Sequence, residues 1–414
     1  MKLVYNGGFT RLSTPPNRWS TNEGWKMLSK FFLKSMFKKW QNGDYRVVFW
    51  DKDVYQNGTK TPQFTLKINR PLKMSDIKKD MSLTIAEAYM DGLIDIEGSM
   101  DAVMRVLYLQ TNYEHLHKHD NATPVQPADR EKSNIKSHYD LGNDFYALWL
   151  DETLSYSCAY FKKESDTLYQ AQLQKLDHTL KKLDLKQGEK LLDIGCGWGY
   201  LSIRAAQEYD VEVLGITISE EQFKQASQKV KDLGLSDRVS IKLLNYQDLD
   251  GMHYRFDKVV SVGMFEHVGK ANLPFYFKKV KEVLKVGGMF LLHSILCCFE
   301  GTTNAWIDKY IFPGGYLPSL REVISIASES DFHLVLGESL RLHYAKTLDL
   351  WHKNFCDKQE QISQMYDTRF IRMWSLYLNS CASAFRVGSV DLYQLLLTNS
   401  VDNTIPLTNA YIYQ

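Results

Sequence analysis

Residues 190–206 read KLLDIGCGWGYLSIRAA, an apolar run, a glycine turn and the start of a helix. Gly195, Gly197 and Gly199 let the backbone turn tightly and approach a ligand without Cβ clashes. The spacing is G-x-G-x-G with Tyr200 next, so it misses the dinucleotide pattern G-x-G-x-x-G, and no Lys-Ser/Thr pair makes it a phosphate loop. Asp193 stands two residues ahead of the first glycine, where the strand ends. Around this stretch the apolar runs LLDIG (191–195), VEVLGIT (211–217), VSIKLL (239–244), DKVVSVG (257–263) and GMFLLHSI (288–295) alternate with helix-length amphipathic segments. Such alternation predicts a parallel, doubly wound α/β sheet with crossover helices. Ligands of such sheets bind at the carboxyl ends of the strands, where strand order reverses.

The glycine loop resembles motif I of the class I methyltransferases. That resemblance implies a Rossmann-like catalytic domain binding S-adenosylmethionine, with Asp193, Gly195 and Gly197 around its amino-acid moiety. Many members of that class carry an acidic residue after the second strand, for the ribose. Here the segment is Gly215-Ile216-Thr217-Ile218-Ser219, followed by Gln222. Thr217 and Gln222 can hydrogen-bond a ribose or a carboxylate with neutral groups. The loop after the third strand, with Tyr246 and Gln247, falls where the adenine is usually gripped.

Three segments divide the chain. Residues 1–111 read as a smaller α+β domain with strand-like runs at 45–50 and 63–69, and with residues 82–110 as two helices around Gly92 and Gly98. Residues 112–133 are polar, Pro-containing and aperiodic, and read as a linker. Residues 134–414 are the catalytic domain. A composition of 44% hydrophobic and 24% charged residues is that of a globular protein, and a net charge of +1 gives no field to gather nucleic acid. The six cysteines form no C-x-x-C pair and no zinc spacing, so no metal is expected. The opening MKLVYNGGF has no apolar signal-peptide core, and no run approaches the ~20 apolar residues of a spanning helix. The expectation is a cytoplasmic protein with reduced thiols that meets a membrane, if at all, peripherally.

Five ordered motifs narrow the chemistry. They are SHYDLGNDFYALWLDETLSYSCAYF (137–161), SVGMFEHVG (261–269), LLHSI (291–295), WIDKYIFPGGYLPS (306–319) and HYAKTLDLW (343–351). Together they closely resemble the cyclopropane fatty acid synthase family, which includes the mycolic acid cyclopropane synthases. The stretch AEAYMDGLIDIEG (86–98) fits the bacterial phospholipid enzymes of that family. The resemblance implies methylene transfer from S-adenosylmethionine to the cis alkene of an unsaturated acyl chain in a membrane phospholipid. It further implies bicarbonate as the base, held by Cys158, Glu266, His293, Tyr344 and the backbone of Ile295. Tyr139, Tyr156 and Ser157 would cover the cofactor. Segments 306–316 and 373–385 would line the acyl slot. A homodimer is implied in the same way. Taken singly, the residues have plainer readings: Cys158 as a small buried residue, Glu266 as a loop cap, His293 as a core histidine, Tyr344 as packing. A methyl-branching enzyme and a small-molecule N- or O-methyltransferase remain the alternatives.

A soluble site must still reach a lipid. Ser20 with Glu23 makes a capping box for a helix running to Trp40. At helical spacing Trp25, Leu28, Phe32, Met36 and Trp40 share one face, with Lys30, Lys34 and Lys38 opposite. Basic, aromatic amphipathic helices of this kind lie in membrane interfaces. Packing on its own domain, or on a second copy, is the plainer alternative.

Overall fold

The computed structural model describes residues 22–40, 42–110, 142–301 and 304–413. Ser20, Tyr139 and the 112–133 segment lie outside the described residues.

The larger sheet has the order β10-β11-β9-β8-β5-β6-β7. Its strands are β5 (Lys190–Ile194), β6 (Glu212–Thr217), β7 (Val239–Leu243), β8 (Phe256–Val262), β9 (Leu284–Cys297), β10 (Phe332–Ser339) and β11 (Val390–Asn399). The five expected apolar runs are its parallel strands, and β5 is parallel to both β6 and β8. Strand order reverses there, which puts the glycine loop at the switch point. β11 is antiparallel to both β9 and β10, and this pair was not foreseen in the sequence. The fold is the doubly wound α/β class.

The smaller sheet, β2-β1-β3-β4, consists of β1 (Tyr45–Val48), β2 (Val54–Asn57), β3 (Phe64–Ile68) and β4 (Ile94–Gly98). Among the described residues this part holds the helices α1 (Asn22–Lys39), α2 (Met74–Lys79), α3 (Met81–Met90) and α4 (Met100–Gln110). The sequence predicts only helix between Gly92 and Gly98, whereas β4 lies there. Its IDIEG alternation is the period-two signal of a strand, and its partner is β3.

The N-terminal part does not hold a core of its own. One apolar cluster runs from Leu33, Tyr45 and Leu66 through Val103 into Phe145, Trp149, Trp351, Trp374 and Phe385. The last five belong to α5 (Asn143–Trp149), α12 (Arg341–Asp357) and α14 (Thr368–Val387). Polar latches surround the seam. Arg386 Nη1 meets Asp101 at 2.6 Å, and Arg369 Nε meets Asp91 at 2.7 Å. Arg372 donates to the carbonyls of Tyr89 and Ile94.

The α1 expectation needs correction. Met36 and Trp40 are buried in that shared core, and Phe32 is half-buried. Lys30 bridges Asp51 and Asp53, and Lys34 pairs with Asp53. Apolar packing on the small sheet claims the last two turns of the face assigned to a membrane. What α1 leaves in solvent is Met27, Leu28 and Phe31, at 67%, 45% and 75% exposure. Among the described residues no helix is long and apolar enough to cross a membrane.

Candidate active site

A cavity of about 140 Å³ opens beyond the carboxyl ends of β5, β6 and β8. Gly195 takes φ +82°, and a Cβ there would stand 2.8 Å from the Cβ of Met264, so only glycine fits between the loop and the β8 end. The Gly195 and Cys196 N–H groups both donate to the Ile216 carbonyl, tying the loop to β6. Asp193, Gly195, Gly197, Thr217, Gln222 and Tyr246 all line the cavity, with Tyr156 and Ser157 over it. The Thr217 hydroxyl donates to Gln222 Oε1 at 2.9 Å, which leaves the Gln222 NH2 as a donor. Asp193 is buried and accepts from Ser202 Oγ at 2.8 Å. Burial raises its carboxyl to about 6, against the opposing pull of Ser202 and Lys175.

Gln247 is not part of this wall. Its N–H donates to Asn245 Oδ1 in a 3-10 turn, and it is Asn245 and Tyr246 that face the cavity. Sequence reasoning also missed Lys175, on α6 (Leu168–Lys182), which lines the cavity at 2% exposure. Its Nζ donates to Ser157 Oγ at 3.0 Å. Burial lowers its ammonium to about 8, although Asp151 and Asp193 pull it back up. One signal was available: at helical spacing Lys175 shares a stripe with the buried Leu168, Ala171, Gln172 and Thr179.

A second cavity, of about 820 Å³ and mostly apolar, lies between the large sheet and the N-terminal part. Cys158, Glu266, His293, Ile295 and Tyr344 all line it, so residues from four separate stretches meet at one wall. Glu266 sits in a short 3-10 turn (Phe265–His267) at the end of β8. Its Oε1 accepts the Ile295 N–H at 2.7 Å, while its Oε2 is closed from water with no protein partner. Burial raises this carboxyl to about 6, and the Ile295 hydrogen bond opposes the rise. His293 is fully buried in β9, and its Nε2 also has no protein partner. The wall thus presents one acceptor and one imidazole nitrogen to whatever enters. Cys158 is buried, its Sγ donates to the Ala159 carbonyl at 3.2 Å, and burial pushes the thiol far up, so it stays a thiol. The Tyr344 ring packs 4.6 Å from Phe385. The Ile295 N–H donates to Glu266 and orients it.

The aromatic segments named from the sequence supply Trp306, Phe312, Tyr377 and Phe385 to this cavity. Unforeseen is the share of the N-terminal part, where Leu66, Ile68, Ile94, Ile96, Met104 and Leu107 complete the wall. Tyr156, Ser157, Gly263 and His267 line both cavities, so the two adjoin beside Glu266. Burial lowers His267 to about 4, which leaves a neutral ring at that junction. No group of His, Cys, Asp and Glu among the described residues could hold a metal ion.

Residues 126–395 match the family described as mycolic acid cyclopropane synthetase, and residues 32–119 match one described as a domain of unknown function. The chain is 40% identical over 363 residues to a "Probable fatty acid methyltransferase" of Pseudomonas putida, covering 85% of this chain and 91% of that protein. It is 38% identical over 351 residues to the cyclopropane-fatty-acyl-phospholipid synthase of Escherichia coli K12, covering 82% and 88%. Among solved structures, a mycolic acid cyclopropane synthase complexed with SAH and CTAB superposes with a TM-score of 0.61. It is 35% identical, over 66% of this chain and 99% of that one.

Proposed function

The chain belongs to the mycolic acid cyclopropane synthetase family of S-adenosylmethionine-dependent transferases, and from that premise we propose what it acts on and how. It transfers the methyl carbon of S-adenosylmethionine to the cis alkene of an unsaturated acyl chain in a membrane phospholipid, and the carbon ends as the methylene of a cyclopropane. The observation that carries this reading is the junction of the two cavities. A pocket of mixed polarity suited to the cofactor adjoins an apolar slot suited to an acyl chain, and Glu266 and His293 stand on the slot's wall.

Alkylation of an alkene needs no base at the start. It leaves positive charge on the chain, and one proton must then leave the new methyl group for the ring to close. Aromatic faces of Tyr344, Phe385 and Phe312 in the slot favour that charge through their ring quadrupoles. Glu266 Oε2 and His293 Nε2 are an acceptor and an imidazole nitrogen without protein partners, which fits a small protonated anion such as bicarbonate. Bicarbonate, when bound there, supplies the weak base. The Glu266 carboxylate would accept a hydrogen bond from that anion's hydroxyl and so favour its basicity, while the Ile295 N–H holds the carboxylate in place. Cys158 and Tyr344 close the same wall.

Purified protein incubated with S-adenosylmethionine and monounsaturated phospholipid vesicles should yield acyl chains that gain one CH2 and lose the alkene, read by mass spectrometry. A gained CH2 with the alkene kept would replace ring closure by methyl-branching, the reading that the name of the Pseudomonas relative favours. No lipid product despite cofactor binding would move the activity to a small molecule.

The lipid is met at the N-terminal part, in this proposal. Met81 both lines the slot and is 42% exposed, which marks an opening. α1 walls the slot with Phe32, Ser35 and Met36, and the preceding turn presents Met27, Leu28 and Phe31 to solvent. Burying two such side chains in an interface is worth about 1.5–3 kcal/mol each. The double variant Met27→Asp, Phe31→Asp should therefore lose vesicle binding by about tenfold or more in a sedimentation assay. Unchanged sedimentation would remove α1 from the contact.

A further inference from the structure

Behind His293, on the side away from the slot, lies a chain of buried polar groups with one internally consistent assignment of donors. Lys182, on α6 at 1% exposure, donates to Gln394 Oε1 at 2.5 Å and also to Glu338. An ammonium has donors only, so the amide oxygen of Gln394 must be the atom that faces it. The amide NH2 then points the other way, onto Thr179 Oγ1 at 3.0 Å and His293 Nδ1 at 3.0 Å. Thr179 can only accept there, because its own hydroxyl donates to the Lys175 carbonyl at 2.8 Å. Both amide hydrogens are thereby committed, and Nδ1 of His293 is an acceptor.

Burial lowers the Lys182 ammonium from its ordinary value, while the charge and hydrogen bond of Glu338 pull it back up. Burial of Glu338 favours the neutral acid, but the hydrogen bond from His178 and the Lys182 charge outweigh that and hold the carboxyl near 2. His293 stays neutral, since burial, with Lys175 and Lys182 nearby, drives its ring well below the ordinary imidazole value. A neutral imidazole that accepts at Nδ1 carries its proton on Nε2. That Nε2 is the atom without a protein partner, on a residue that lines the slot.

We infer that Lys182 and Gln394 are positioning residues that lock His293 as an Nε2–H donor aimed at the reaction's anion, so that His293 cannot be the base. The inference rests on the proposed reading of the slot. It also separates two roles that the motif alone leaves mixed: His293 gives a hydrogen bond, and the accepting side of the site belongs to Glu266. A carboxylate in place of Gln394 reverses the polarity, because it would accept from Lys182 and from Nδ1–H alike.

The test uses full-length protein with 15N-labelled histidine, in which the His293 signals are identified by their loss in His293→Asn. Nitrogen shifts should show the Nε2–H tautomer in the wild type and a proton on Nδ1 in Gln394→Glu. Titration with 13C-bicarbonate should show binding weakened about tenfold in His293→Asn, the scale of one lost buried hydrogen bond to an anion. An Nδ1–H tautomer in the wild type overturns the inference even if Gln394→Glu fails to fold. So does a Gln394→Glu spectrum identical to wild type, or bicarbonate binding indifferent to His293. None of these readouts needs a lipid. Failure of the cyclopropane assay with the tautomer and bicarbonate results intact therefore removes the substrate assignment and leaves the relay.

Discussion

Glu266→Gln should abolish nearly all turnover and at the same time make the folded protein more stable near neutral pH. The loss of rate is expected at about 10²–10⁴, the range a positioned acid–base group contributes. Glutamine keeps the shape and can still accept the Ile295 N–H, but it presents no carboxylate to the anion's proton. The gain in stability follows from burial, which raises the Glu266 carboxyl from 4.5 to about 6. A folded value above the unfolded one means that the folded state prefers the proton. The stability Glu266 contributes is therefore present below about pH 4.5 and lost as the pH rises through about 6. A shift of about 1.5 units corresponds to at most about 2 kcal/mol, and the glutamine variant does not suffer that loss. Urea unfolding of both proteins at several pH values should show the gap opening across that window. S-adenosylhomocysteine binding should stay within about twofold of wild type, since Glu266 does not line the cofactor cavity. A variant that turns over normally, or one destabilised at every pH, would remove Glu266 from the chemistry.

Opposing features of the site were legible to different degrees in the sequence, for physical reasons. The parallel strands inside the sheet are buried on both faces, so their apolar runs stand out whole, and the glycine loop announces the switch point beside β5. β4 was misread because its five residues, Ile94–Gly98, lie between two helices and their alternation is short. The faces of α1 were assigned on spacing alone. Spacing says which residues share a side, but the partner of that side is decided by Asp51, Asp53 and the small sheet, which are distant in sequence. Lys175 and Lys182 were passed over for a related reason. A lysine in a helix is normally solvated, and only their place on the buried stripe of α6 hints that each has a polar partner inside. Those partners, Ser157 and Glu338, come from other elements. Glu266 and His293 were found through ordered motifs. What no motif reveals is that one carboxylate oxygen and one ring nitrogen are left without protein partners.

The largest effect away from the reacting groups should come from Ala86→Trp, which tests whether the acyl chain runs through the N-terminal part of the slot. Ala86 lies on α3, half-buried, with its surface on the cavity. An indole there grows into open slot and not into packed core, so overpacking should cost less than the 1–3 kcal/mol usual for enlarged core residues. Every methylene of substrate displaced from the slot loses about 0.8 kcal/mol of transfer free energy, and about five displaced methylenes make about 4 kcal/mol, close to a thousandfold in kcat/KM. The penalty should rise with acyl-chain length, because a longer chain places more methylenes in the slot that Ile68, Ile94 and Ile96 wall. Binding energy from the remote end of a substrate also aligns its reacting carbon, so part of the loss should appear in kcat. S-adenosylhomocysteine binding, in the other cavity, should not change. Kinetics on phospholipids of graded chain length would check this, with the penalty rising as the chain lengthens. An equal loss at every length would mean that the substitution disturbs the junction and not the slot. No loss at any length would mean that the acyl chain does not touch the N-terminal part, and the match of residues 32–119 to a domain of unknown function would then need another role.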